Sequence, residues 1–330
     1  MKVAIYSCHD FEWPFIETAN IDGHDLRRIE DKLDGNTLDK SKGCEIVSIF
    51  SSDNANRENL EHLQSMGTRL IATRSAGTDH IDIDAARELG LQVVNVPEYS
   101  PNAIAEHCIA LNLALYRKLG PSFDRIKNYN FSLKGQVGYE IRSRTVGICG
   151  TGDIGERLSV LYQGFGANIL LFDADRNQGL VENGRAEYVD KQELLEKSDI
   201  ISLNLPLNDS TENFITANEL ESMKESAILI NTGRGGLVNT QDVLEALQNK
   251  NIAGFAMDVY EHEKNMFYKD LSDASERDGL LTALIERDNV VVTAHQGFLT
   301  ETALGNMMDT VFDSIRAFEK GNDLEHSITR

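Results

Sequence analysis

The chain has 330 residues, 53 of them acidic and 32 basic, for a formal charge of −21. That length is too great for one ordinary core and predicts two domains, while 41% apolar and 26% charged residues exclude a disordered chain. The charge repels phosphate backbones and anionic lipid, so neither nucleic acid nor membrane is expected as a partner, and no run of about 18 apolar residues marks a membrane span.

The chain opens on MKVAIYSCHD, which reads as a first strand rather than a secretion signal. Further strands are predicted at 45–50, 69–73 and 91–95. A second set falls at 145–150, 168–173, 199–205, 227–232, 252–258 and 289–293. Helices are predicted over 101–119, 153–166 and 299–320. In the second of these, Ile154, Leu158, Leu161 and Phe165 are spaced to share one helical face. Near-continuous apolar strands alternating with helices predict an α/β protein with parallel sheets covered on both faces, in two units. Cys8, Cys44, Cys108 and Cys149 are scattered with no C-x-x-C pair. This argues against a zinc site or disulfides, so no metal is expected, and it points to a reducing cytoplasm.

The most specific local signal is TVGICGTGDIGERL. Gly150, Gly152 and Gly155 form G-x-G-x-x-G directly after a strand and at the start of a helix. Gly150 permits a tight turn, Gly152 lets a pyrophosphate approach the backbone, and Gly155 lets helix and strand pack closely. The helix-start amides favour an anion. The next strand ends in Asp173, where a carboxylate accepts from both ribose hydroxyls and repels a 2′-phosphate. That favours NAD over NADP, with Arg176 nearby as a softening influence. The fingerprint lies in mid-chain, which disfavours an architecture that carries it near residue 20.

Three later strand ends carry unusual residues. Arg234 lies between glycines after 227–232, Asp258, Glu261, His262 and Glu263 follow 252–258, and His295 follows 289–293. An arginine, an acid and a histidine together match the needs of 2-keto acid reduction. The arginine grips the carboxylate with two parallel N–H groups. The histidine protonates the carbonyl oxygen as hydride arrives, and a carboxylate on its other ring nitrogen favours the protonated form. Three successive loop residues rarely converge on one ion, which weighs against reading Glu261, His262 and Glu263 as a metal site.

The segments RSAGTDHIDIDAA (74–86), VPEYSPNAIAEH (96–107), GTGDIG (150–155), NTGRGGLVN (231–239), MDVYEHE (257–263) and TAHQGFLT (293–300) occur in one order along essentially the whole chain. In this the sequence resembles the D-isomer-specific 2-hydroxyacid dehydrogenases, most of all the NAD-dependent D-lactate dehydrogenases among them. The resemblance implies two Rossmann-like domains, one flavodoxin-like and one NAD-binding, with the active site in the cleft. Residues 1–100 and 299–330 would form the substrate domain and 101–298 the NAD-binding domain. The 101–119 helix would cross between domains and the C-terminal helix return to the first.

The resemblance further implies Arg234, Glu263 and His295 as catalytic residues, Glu263 rather than Glu261 being the catalytic acid. Substrate contacts would come from the backbone at Ala76 and Gly77, from Tyr99 and Arg234, and from Phe298 as a bulky wall. Asp153 and Ile154 would join the glycines at the pyrophosphate. Leu205, Pro206, Thr211, Thr232, Gly233 and Asp258 would line the adenosine and nicotinamide ends. Pyruvate and D-lactate would be the substrate pair, and a homodimer or homotetramer the assembly. Thr78 stands where relatives often carry a larger residue and Gly297 where alanine is common, so a pocket of different size is expected. The alternatives are a bulkier 2-keto acid and, from another class, a non-catalytic NAD-sensing binding protein.

Overall fold

The computed structural model describes residues 1–182, 184–264 and 266–329. The chain divides into two compact units, Met1–Ser100 with Leu299–Arg330, and Pro101–Phe298.

In the first unit the chain forms β1 (Lys2–Ile5), α1 (Trp13–Ala19), β2 (Asp25–Arg28), β3 (Ile46–Ile49), α2 (Arg57–Ser65), β4 (Leu70–Thr73), α3 (Ile83–Glu88) and β5 (Gln92–Val94). The strands make one parallel sheet in the order β2-β1-β3-β4-β5, the flavodoxin-like arrangement. β3 and β4 are buried along their whole length, as strands covered on both faces must be. The sequence reading did not find β2: its residues are Asp-Leu-Arg-Arg, alternately exposed and half-buried, and it pairs on one side only. An edge strand carries charge because its open side must not recruit another chain, and that charge erases the apolar run.

The second unit runs α4 (Pro101–Tyr116), α5 (Leu119–Lys127), β6 (Thr145–Cys149), α6 (Asp153–Gly164), β7 (Asn168–Phe172), β8 (Ala186–Tyr188), α7 (Lys191–Lys197), β9 (Ile200–Leu203), α8 (Ala217–Ser222), β10 (Ile228–Asn231), α9 (Thr240–Asn249), β11 (Gly254–Met257), α10 (Gly279–Ile285) and β12 (Val290–Val292). Its parallel sheet has the order β12-β11-β10-β9-β6-β7-β8, the doubly wound arrangement of nucleotide-binding folds with one extra strand. Alternate residues feed two cores: Ile228 and Ile230 enter one, Leu229 the other. β8, short and at the edge, is the second strand that left no apolar signal. The final helix, α11 (Glu301–Glu319), packs on α1 and β4 in the first unit.

Two helix readings are corrected. The helix expected over 101–119 is two helices, broken at Lys118, which is left-handed at φ +52°. Pro121 explains the break: a proline inside a continuous helix loses a hydrogen bond and clashes with the preceding turn, but it is tolerated in the first turn of α5. On α6 the buried stripe is Gly155, Leu158, Ser159 and Tyr162, and Phe165 is exposed. Apolar periodicity centred the face wrongly because Gly155 sets the contact: a Cβ there would lie 2.0 Å from the Gly150 carbonyl oxygen.

Candidate active site

The sheet order of the second unit reverses between β6 and β9, and a ligand crevice opens beyond the strand ends at such a point. Gly150 leaves β6 there at φ +95°, and a Cβ on it would meet the Asn204 carbonyl oxygen at 2.5 Å. Only glycine fits. A Cβ on Gly152 would meet nothing within 4 Å, so the turn is open on the side a pyrophosphate needs. Gly152 is also the N-cap of α6 and brings no capping side chain, which leaves the first-turn amides for an anion. Asp153 and Ile154 lie in that first turn. Asp173 follows β7, and its Oδ2 accepts from the Thr151 amide at 2.6 Å and the Thr151 hydroxyl at 3.1 Å. Those bonds fix the carboxylate at the tip of the glycine loop and leave it lone pairs for further donors. Arg176 lies over the Tyr188 ring at 5.3 Å. The glycine turn, open helix start and acidic strand end fit a dinucleotide.

Other residues expected along the cofactor are distributed as follows. Leu205 is buried and Pro206 exposed beyond β9. The Thr211 hydroxyl donates to the Pro206 carbonyl at 2.6 Å and accepts from the Asn208 amide at 2.9 Å, so it closes its own loop. Thr232 is buried after β10, and a Cβ on Gly233 would meet Leu237 Cδ1 at 3.0 Å.

β10, β11 and β12 are neighbours in the sheet, so the three unusual strand ends do lie side by side. Buried Asn231 clamps the first: its Nδ2 donates to the Arg234 carbonyl at 3.0 Å, and its Oδ1 accepts from the Gly233 amide at 3.2 Å. The next glycine matters equally, since a Cβ on Gly235 would lie 2.2 Å from the Tyr260 carbonyl carbon. The arginine loop therefore rests directly on the backbone of the loop after β11. There the two acids part. Glu261 Oε1 accepts from the Thr240 amide at 3.3 Å, whereas Glu263 Oε1 lies 2.8 Å from His295 Nδ1. Glu263 Oε2 accepts from the Tyr260 amide at 2.8 Å, which fixes the carboxylate against the ring.

His295 is left-handed at φ +52°. A residue with a Cβ pays for that conformation and holds it only where its surroundings dictate it. Here its amide donates to the Asp258 carbonyl at 2.6 Å and the Tyr268 hydroxyl donates to its carbonyl at 3.0 Å. With Nδ1 against Glu263, the imidazole turns Nε2 away from that acid.

Asp258 anchors the loop after β12. It is 2% exposed, and both carboxylate oxygens serve the loop after β12: Oδ1 accepts from Thr293 Oγ1 at 2.6 Å and the Gln296 amide at 2.8 Å, Oδ2 from the Gly297 amide at 2.8 Å. His107 Nε2 lies 3.3 Å from Oδ1. Burial alone would raise its pKa, but the hydrogen bonds from His107, Thr293 and Gln296 prevail and bring it down to about 2. Its carboxylate shapes the histidine loop. Gly297 belongs to the same arrangement: a Cβ there would lie 3.1 Å from Asp258 Oδ2. Phe298 is 7% exposed. His107, Asn231 and Tyr268 were not found from the sequence. His107 meets Thr293 across 186 positions, which no local window spans.

Ala76, Gly77, Thr78 and Tyr99 belong to the first unit and are half-buried. The Ala76 carbonyl accepts from Asn95 Nδ2 at 2.9 Å, the Gly77 carbonyl from Ser75 Oγ at 2.7 Å and the Tyr99 carbonyl from Asn306 Nδ2 at 2.8 Å.

This fold and these strand ends define an NAD-dependent oxidoreductase with a paired histidine and glutamate. Residues 109–297 match the family model described as D-isomer specific 2-hydroxyacid dehydrogenase, NAD binding domain. The D-lactate dehydrogenase of Escherichia coli is 38% identical over 322 residues, 97% of this chain and 98% of that protein. The aromatic 2-oxoacid reductase of Clostridium sporogenes is 36% identical over 298 residues, 90% of this chain and 89% of that protein. The solved structure of D-lactate dehydrogenase from Aquifex aeolicus complexed with NAD and lactic acid superimposes with a TM-score of 0.88 at 31% identity, covering 99% of both chains. The chain belongs to the D-isomer specific 2-hydroxyacid dehydrogenase family, and its cofactor is NAD.

Proposed function

We propose that this dehydrogenase reduces pyruvate reversibly to D-lactate. The observation that carries the reading is the 2.8 Å pair of His295 Nδ1 and Glu263, which leaves Nε2 to give a proton to the carbonyl oxygen. NADH, when bound, supplies the hydride to C2, and the turn at Gly150, Gly152 and Gly155 with Asp173 holds it. Arg234 grips the carboxylate and draws electron density from the ketone. Glu263 orients the ring and stabilises the imidazolium. Ala76, Gly77, Tyr99 and Phe298 are the further substrate contacts. In a chain of net charge −21, Arg234 also supplies the local positive field that an anionic substrate needs.

The assembly is a homo-oligomer, and its support is a row of exposed apolar residues. Leu119, Phe123 and Ile126 share one face of α5, a helix with no buried residue, and Tyr129, Phe131, Leu133, Val137 and Tyr139 continue it. Residues 117–144 carry seven basic and two acidic groups in a strongly acidic chain, so a second copy offers complementary charge. No described helix is long and apolar enough to cross a membrane. Four buried, unbridged cysteines agree with a reducing cytoplasm.

The test is loss of NADH absorbance with pyruvate, 2-ketoisocaproate and phenylpyruvate, with NADPH alongside and a chiral assay of the product. Fastest turnover of pyruvate with NADH, giving D-lactate, is expected. Fastest turnover of phenylpyruvate would move the substrate to the second reading, a bulkier 2-oxo acid, which the Clostridium relative favours. No turnover of any of them would remove the enzymatic reading.

A further inference from the structure

Asn95 and Ser75 have no role in the chemistry above, yet each spends its side chain on the backbone that follows β4. Three successive carbonyls are pinned there: Ser75 by the Val96 amide at 3.1 Å, Ala76 by Asn95 Nδ2 at 2.9 Å, and Gly77 by Ser75 Oγ at 2.7 Å. In a trans peptide the carbonyl of one residue opposes the N–H of the next. Each pinned carbonyl therefore directs the N–H that follows it, at Ala76, Gly77 and Thr78, away from that carbonyl's own partner. Among the described residues none of these three amides has an acceptor. Successive N–H groups of this kind form a concavity for an anion.

The support for Ser75 runs deeper. Its hydroxyl has one proton, given to Gly77, so at 2.7 Å it must accept from Thr73 Oγ1. Thr73 has then spent its own proton and accepts from His80 Nε2 at 3.2 Å. The chain of donors runs one way, from His80 through Thr73 and Ser75 to the Gly77 carbonyl. Thr73 is fully buried, so water does not replace a lost member there.

We propose that Asn95 and Ser75 are positioning residues that present the amides of 76–78 to the carboxylate of the 2-oxo acid, with the Thr78 N–H as a further donor. The inference rests on the 2-oxo acid reading. The test is steady-state kinetics of full-length Asn95→Ala, Ser75→Ala and Ser75→Thr, with NADH affinity measured by fluorescence. KM for the 2-oxo acid rises about ten-fold in each alanine variant, the scale of one lost hydrogen bond. kcat and NADH affinity stay close to wild type, and Ser75→Thr restores KM because its hydroxyl still donates. A KM within about two-fold of wild type in both alanine variants overturns the proposal. If Asn95→Ala does not fold, the Ser75 pair decides alone. If the wild type turns over no 2-oxo acid, the 2-oxo acid reading has failed, and amide NMR with added oxamate decides the inference. Shifts at Gly77 and Thr78 that vanish in Ser75→Ala sustain it, and their absence in the wild type overturns it.

Discussion

His295 sits in a backbone conformation that costs free energy, and its neighbours hold it there. The Asp258 carbonyl, the Tyr268 hydroxyl and the Glu263 carboxylate each take one group of the residue. Asp258 adds a second grip, because its carboxylate ties down Thr293, Gln296 and Gly297 on either side. A proton donor must be held within a fraction of an ångström of its working position, and these bonds supply that restraint. Arg234 is restrained differently, through Asn231 and through the contact of Gly235 with the Tyr260 backbone. Replacing Arg234 with lysine keeps the charge and removes the planar fork, so KM for the 2-oxo acid should rise at least about ten-fold. Steady-state kinetics of Arg234→Lys check this, and an unchanged KM would move the carboxylate elsewhere.

At the scale of elements, buried strands announced themselves as apolar runs, and the glycine turn as a spacing with an obligatory strand before it and helix after it. What stayed hidden was set by edges and by partners distant in sequence. β2 lacks the apolar run because three of its four residues are charged, and β8 because it has three residues with a glutamate at the centre. The face of α6 was displaced because a missing side chain, at Gly155, decides its contact. The choice between Glu261 and Glu263 came from resemblance, since nothing local separates them, and geometry then sets them on different partners. α5 is amphipathic by sequence yet has no buried face. If a second copy covers it, Phe123→Asp combined with Leu133→Asp should shift the oligomer towards monomer in light scattering, as charge placed in an apolar interface must be desolvated. A mass equal to wild type would set the interface elsewhere.

For the whole molecule, a large acidic excess, two α/β units and a histidine held by an acid make one account. The net charge of −21 disfavours polyanions, and the proposed chemistry of a small anion rests on a few placed donors. In the proposed reaction His295 gives the proton when a 2-oxo acid is reduced by NADH. The measurement that tests it most directly is kcat of His295→Gln beside wild type, with NADH affinity determined on both. kcat should fall by about 10²–10⁴ with NADH binding unchanged. A kcat equal to wild type would contradict it and leave His295 as a structural residue.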